Sequence, residues 1–388
     1  MKSSVLLAWR YIAHYRARSL ILSTCIALSF LLPFSVTGLV GSYSESLVSR
    51  SQATPLVAGA LGSRYDLVLS SLYFTGRLPR SLSMQEADEL RESGLASVVP
   101  LVLGQSARDF PVVGTTPDYF EKRALVVAAG ELPLVLGDAV LGAEVASELG
   151  LRVGDTLLTD DGSLYDLSLR SPLQLSVVGV LAKSATADDR AVFVDVKTSW
   201  IGQGIGHGHV EPDAESPEVL ATSSDEKLVM GAATYEFTEF TEANQGSFHF
   251  HGEPKDYPLT ALCLFPLDAR SETKLKARYR LSDELQLLEP TEVIEELLGL
   301  VFKAKRFFDA NSALVSVATL LFLALVLLLS VRVRQKEIAT LTKIGCARST
   351  IVAVFGLELG MLVVFGLASS YVLSLAAASA LRSLLLGA

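Results

Sequence analysis

The sequence predicts an α+β membrane protein, on three observations. Half of the 388 residues are hydrophobic and the mean hydropathy is +0.41, more apolar than an ordinary soluble domain. The apolar residues gather in three runs on the scale of the roughly 20 residues a helix needs to cross a bilayer. Between the first and second runs lies a segment of about 265 residues, ample for a core of its own, in which strand and helix patterns alternate.

Residues 1–17 intersperse Leu6, Leu7, Trp9, Tyr11 and Ile12 with Arg10, His14 and Arg16, as an amphipathic helix at a membrane surface does. The first apolar run, 18–43, carries no charge between Arg18 and Tyr43 and reads as the first spanning helix. Its basic front also fits a signal peptide, but the run is long and lacks a small-x-small exit. The second run is 310–330. The third, 351–388, is interrupted only by Glu358 and Arg382. As one long helix it gives three crossings; a hairpin turning near Ser369 and Ser370 would give four. Glu358 is costly against lipid, so it is expected against a partner helix or near the cytoplasmic interface.

Orientation follows from the basic residues. Arg10, Arg16 and Arg18 precede the first run, while Arg332, Arg334, Lys336, Lys343 and Arg348 follow the second, which makes both flanks cytoplasmic. Residues 44–309 are then extracytoplasmic. The net charge of -9 combines a cationic inner face with an anionic exterior domain, a balance that excludes a nucleic-acid partner. Of the three cysteines only Cys263 falls outside, so no intramolecular disulfide is expected.

Within the exterior segment, "YDLVLSSLYF" (65–74), "LQLSVVGVLA" (173–182) and "RAVFVDV" (190–196) read as strands from their alternation and β-branched content. "LGAEVASELGLRVGDTLL" (141–158) reads as a helix ended by Gly150, then a Gly154-Asp155 turn into a strand. Residues 199–258 are rich in Gly, Pro, Ser and acids and read as an exposed insertion. Thr291 is the predicted N-cap of a stalk helix, 291–309, that meets no breaker before the second run. The pair Asp188-Asp189 reads as a solvated turn rather than catalytic carboxylates. Neither a G-x-x-x-x-G-K-[ST] loop nor H-E-x-x-H nor G-x-S-x-G occurs, so no catalytic residue is assigned and the chain is not its own ATPase of that type.

After the second run stands "RVRQKEIATLTKIGCARSTIVAVFGLE". At Arg334, Lys336, Glu337, Ile338, Ala339, Leu341, Gly345, Ala347, Arg348, Leu357 and Glu358 it resembles permeases of the MacB, FtsX and LolC type, the type VII ABC transporters. "VVGTTPDYF", "LGAEVASELGLRVGDTL", "VVGVL" and "VFVDV" resemble the core of their periplasmic domain. The resemblance implies a MacB-like permease with an N-terminal amphipathic helix, three or four transmembrane helices and a large periplasmic α+β domain on helical stalks. It also implies a bacterial inner membrane, a second permease copy or paralogue, and a cytoplasmic ABC ATPase dimer that alone handles ATP. Residues 331–350 would couple to that ATPase through Lys336, Glu337, Ile338, Leu341, Ile344, Gly345 and Arg348. Ile338, Leu341 and Ile344 recur at helical spacing with basic residues on the other faces; the same pattern also suits a helix that holds anionic lipid.

The insertion carries an unusual feature. Four of the 5 histidines stand in two His-x-His pairs, His207 with His209 and His249 with His251. In extended chain such pairs project from one face, with Phe248 and Phe250 opposite. Two pairs supply the four nitrogens of a tetrahedral zinc site, with Glu211, Asp213 and Glu253 as nearby carboxylates. Copper and nickel also accept imidazole; zinc is favoured by its ubiquity and the absence of Met or Cys ligands. A Gly-rich loop, however, also tolerates histidines by chance. MacB-like permeases with such inserts resemble those linked to zinc acquisition, which implies a periplasmic metal-binding or adaptor partner. The expected function is a permease that converts ATP hydrolysis on a partner into movement of the periplasmic domain, linked to zinc or another divalent transition metal. The alternatives are export of a lipoprotein, peptide or amphiphile without metal, and an FtsX-like subunit that activates a cell-wall hydrolase.

Overall fold

The computed structural model describes residues 2–160, 172–209, 220–224, 227–230, 237–241, 243–280 and 282–386. Two helices open the chain, α1 (Lys2–His14) and α2 (Arg16–Gln52). An α+β segment follows with β1 (Leu56–Ala60), α3 (Arg64–Tyr73), β2 (Leu82–Ser83), α4 (Met84–Glu92), β3 (Ala96–Ala107), β4 (Phe110–Thr115) and α5 (Pro117–Lys122). It continues through β5 (Val127–Gly130), β6 (Asp138–Leu141), α6 (Ala143–Leu149), β7 (Thr156–Leu158), β8 (Gln174–Leu181), β9 (Val192–Asp195) and α7 (Val196–Gly202). Next come β10 (Gly206–Gly208), β11 (Leu220–Ser224), β12 (Lys227–Met230), β13 (Phe248–Phe250), β14 (Pro258–Leu259), β15 (Ala261–Pro266), α8 (Ala269–Tyr279) and β16 (Leu285–Leu288). The helices α9 (Pro290–Val333), α10 (Gln335–Lys343) and α11 (Arg348–Leu386) close the chain. It divides into two compact units, Met1–Glu45 with Glu296–Ala388, and Ser46–Glu295.

In the second unit the main sheet runs β16-β1-β15-β3-β4-β9-β6-β8-β5, with β7 beside β8. It is mixed: β4–β9 and β6–β8 are parallel and its other pairs antiparallel. One apolar cluster forms around Leu56, Val98, Leu262 and Leu264, another around Val112, Leu141, Val177 and Val192. The predicted strand over 173–182 is β8, whose side chains alternate between buried and half-buried, as one covered face requires. The predicted strand over 190–196 contains β9. Helix α6 ends at Gly150 with φ 68, the left-handed cap that glycine adopts without a Cβ clash.

Four sequence expectations are corrected here. "YDLVLSSLYF" is not a strand but lies in α3, because its buried residues Leu67, Val68, Ser71 and Leu72 follow the helical repeat and Ser63 caps the N-terminus by accepting from the Asp66 amide. Ser199, Trp200 and Ile201, assigned by composition to the insertion, are buried in α7. Thr291 is not an N-cap, since α9 already begins at Pro290, where proline's missing N–H costs nothing. Asp188 and Asp189 lie in a 3-10 turn, Ala187–Arg190, but are buried rather than solvated.

The first unit is helical. Its α2, α9 and α11 are long and apolar enough to cross a membrane, and Leu22, Ile26, Leu323 and Leu362 form their shared core. Helix α11 passes through Ser369 and Ser370 without a turn, which removes the hairpin alternative. Helix α9 likewise joins the predicted stalk and second apolar run in a single element.

Candidate metal centre and coupling segment

β10 and β13 form an antiparallel ribbon with the register Gly206↔Phe250, His207↔His249 and Gly208↔Phe248. The ribbon extends by one pair, since the His251 amide donates to the Ile205 carbonyl at 2.8 Å, and the Phe237 amide of another segment donates to the Gly208 carbonyl at 2.8 Å. Because strand side chains alternate, the imidazoles share one face and the Gly–Phe pairs the other. On that other face Phe250 packs against Trp200 and Tyr257, with ring centroids at 6.3 and 6.0 Å, and Phe248 stacks on Phe240 at 4.8 Å. The Trp200 indole N–H donates to the Pro258 carbonyl at 2.8 Å. The glycines are required by this packing: a Cβ on Gly206 would lie 2.7 Å from the Phe250 ring, and one on Gly208 2.9 Å from Phe248.

The imidazole face brings all four histidines together. Ring centroids are 4.7 Å apart for His207–His249, 5.0 Å for His209–His249, 4.8 Å for His207–His251 and 5.0 Å for His249–His251. Ligand nitrogens of His207, His209 and His249 all lie within 4.8 Å of one another. Tetrahedral zinc with bonds of 2.0–2.1 Å sets its donors about 3.3 Å apart, a span this set would reach by drawing together; the donor chemistry fits the ion. The His249 Nδ1 lies 3.3 Å from the Ser247 carbonyl. A carbonyl only accepts, so this contact is a hydrogen bond in the tautomer protonated on Nδ1, the one that offers Nε2 to a metal. Of the carboxylates singled out from the sequence, Glu211 and Asp213 lie outside the described residues, and Glu253 is exposed and outside the histidine group.

The coupling segment centres on α10. Lys336 and Glu337 are exposed, whereas Ile338 and Leu341 are half-buried and line an apolar cavity with Leu7, Tyr11, Val354 and Phe355. Ile344 does not share their face: it is 74% exposed, because the helix ends there and the chain turns at Gly345, φ +86. Arg348, at the start of α11, is exposed.

The sequence placed Glu358 against a partner helix, but it did not name the partners in either of two buried charge clusters. In the helical unit Glu358 accepts from Arg18 and, at 3.1 Å, from Arg334. The Arg334 guanidinium lies 4.4, 4.9 and 5.5 Å from the ring centres of Tyr11, Tyr15 and Phe355. In the second unit Arg50 donates to both Asp188 oxygens at 2.5 and 2.8 Å and to the Tyr119 hydroxyl at 3.1 Å, while that hydroxyl donates to Asp188 at 2.7 Å. Burial pushes the Asp188 carboxyl up, but the hydrogen bonds and charge of Arg50 prevail and hold it below the usual carboxylate range. Burial and the Asp188 charge push the Tyr119 phenol up. Asp189 accepts from the Ser184 and Ala185 amides. Both carboxylates thus have full structural employment and no open face for catalysis.

The MacB-like periplasmic core domain family matches residues 29–228, just over half of the chain. The chain belongs to the MacB-like periplasmic core domain family. With it goes membership of the MacB/FtsX-type ABC transporter permeases, the group that the segment around α10 resembles. The family match takes in His207 and His209 and stops short of His249 and His251. The periplasmic region of MacB from Actinobacillus actinomycetemcomitans is similar at a TM-score of 0.38 and 10% identity, over 65% of this chain and 97% of that one. The extracellular domain of the noncanonic ABC-type transporter YknZ from Gram-positive bacteria is similar at 0.32 and 10%, over 60% of this chain and 98% of that one. No curated protein matches the chain.

Proposed function

We propose that this MacB-like chain is the permease subunit of an ABC transporter in a bacterial inner membrane, and that its periplasmic domain binds zinc or another divalent transition metal. Helices α2, α9 and α11 cross the bilayer, with the basic ends around Arg16 and Arg334 on the cytoplasmic side. A separate ABC ATPase dimer hydrolyses ATP and docks on the segment from Lys336 to Arg348. A second permease copy or a paralogue completes the complex. Helices α2 and α9 each contribute residues to both compact units, so a shift of their apolar parts is carried to the periplasmic domain without a tunnel through the membrane.

The observation that carries the metal is the convergence of the His207, His209 and His249 nitrogens within 4.8 Å on a ribbon whose opposite face is filled by Gly–Phe pairs. The test is metal content and zinc affinity of the detergent-solubilised full chain, beside a variant with His207, His209, His249 and His251 all changed to Ala. One zinc per chain, lost in the variant, is the expected result. Equal weak binding by both proteins would sink the metal and turn the cargo toward a lipoprotein, peptide or amphiphile.

A further inference from the structure

The four histidines are not equivalent, and their differences carry an inference that rests on the metal reading above. The nitrogens of His207, His209 and His249 form the close set, and His251 is outside it. His251 nonetheless stands beside that set, its ring 4.8 Å from His207 and 5.0 Å from His249. It is exposed, as is His249, whereas His207 and His209 are half-buried.

The backbone explains the asymmetry. His207 and His249 face each other as a register pair within the ribbon. His209 and His251 flank that pair at opposite ends, each two residues along its own strand. A single ion near His207 and His249 reaches one flank without displacing any strand; the ring of His209 lies 5.6 Å from His207, yet it is the His209 nitrogen that falls within the close set. The His249 Nδ1 stands 3.3 Å from the Ser247 carbonyl, the kind of outer contact that orients a metal-binding imidazole.

We propose that His207, His209 and His249 form a three-histidine holding site and that His251 is an exposed exchange ligand. It would occupy the ion's fourth position and yield it to a ligand from outside the chain. Three protein ligands with an exchangeable fourth position distinguish a working zinc site from a closed structural one. The ribbon is thus a place where a divalent transition-metal ion is received and passed on, not a staple of the fold.

Cobalt(II) is the probe, because its visible absorption reports coordination number and ligand type. The full chain in detergent is titrated with cobalt(II) alone, then with added imidazole, for the native protein, H251A and H249A. We expect H251A to keep one cobalt per chain held by the three remaining histidines, to bind it more weakly than the native chain, and to regain the native spectrum when imidazole fills the fourth position. H249A loses the bound cobalt. Loss of binding in H251A equal to that in H249A would mean a closed four-histidine site and would overturn the proposal. An H251A spectrum and affinity identical to native would overturn it equally, by removing His251 from the ion. Absence of cobalt and zinc binding by the native chain would instead remove the metal reading on which the proposal stands.

Discussion

Arg334 and Glu358 form an ion pair of 3.1 Å in which both side chains are only 5% exposed, although each sits at the end of, or within, a helix apolar enough to span a membrane. The cost of burying the carboxylate is offset by a second arginine, Arg18, and the Arg334 charge is spread over the faces of Tyr11, Tyr15 and Phe355. The cluster therefore ties α1, α2, α9 and α11 together at one level.

Removing one member leaves a charge with no counterpart. E358A strands two guanidinium groups and is expected to cost about 3–5 kcal/mol, read as a fall in the thermal unfolding temperature of the detergent-solubilised chain. R334K keeps the charge but loses the planar stacking on three rings, and is predicted to fall between the native protein and E358A. A native-like unfolding temperature for E358A would show that the pair is solvated.

The Arg50–Asp188 pair makes an acid-limb prediction. The folded-state pKa of Asp188 lies below its unfolded value, so its contribution is fully present above the unfolded value, about 3.9, and is lost as pH falls through the folded one. Stability of the native chain is expected to decline below about pH 4, and D188N to flatten that decline while lowering stability at pH 7. R50A is expected to cost about 3–5 kcal/mol at neutral pH. Parallel acid limbs for native and D188N proteins would remove the pair as the source.

These two clusters mark where the sequence stops being informative. The alternation of β8, the glycine stop of α6 and the apolar lengths of α2, α9 and α11 are local patterns, and each was legible. The fates of Asp188 and Glu358 depend on Arg50, 138 residues away, and on Arg18, 340 residues away, which no spacing rule reaches. Helix α3 was misread because Leu67, Val68, Ser71 and Leu72 satisfy a helical repeat within a run whose Leu, Val and Tyr content also suits a strand. The histidine face was legible from its period of two. What the pairing of the two segments adds is the reason for the glycines in "GHGH": they lie across from the phenylalanines of "FHFH".

Ile338, Leu341 and Ile344 separate two roles that helical spacing alone merged. I344D changes an exposed residue and is predicted to reduce stimulation of the partner ATPase by the permease while leaving the unfolding free energy within about 0.5 kcal/mol of native. I338D places a charge in the apolar cavity beside Leu7 and Tyr11 and is expected to lower both. If I344D stimulates the ATPase as the native chain does, the docking surface lies elsewhere.

Gly206 provides the sharpest link between packing and metal binding. A Cβ there would lie 2.7 Å from the Phe250 ring and 2.9 Å from the His249 carbonyl. Phe250 cannot retreat freely, because Trp200 and Tyr257 pack against it. G206A is therefore predicted to spread the two strands at a cost of about 1–3 kcal/mol, the range for an overfilled core, and to weaken zinc binding although no ligand is touched. G246A is the control: nothing lies within 4 Å of its added Cβ, and its zinc affinity is expected to match native. The double variant G206A/F250A removes the clashing ring and is expected to recover part of the affinity, a non-additive result that two residues in contact produce. Undiminished zinc binding by G206A would mean that the histidines meet without the strand pairing of β10 and β13, and that the ion rather than the ribbon organises the site.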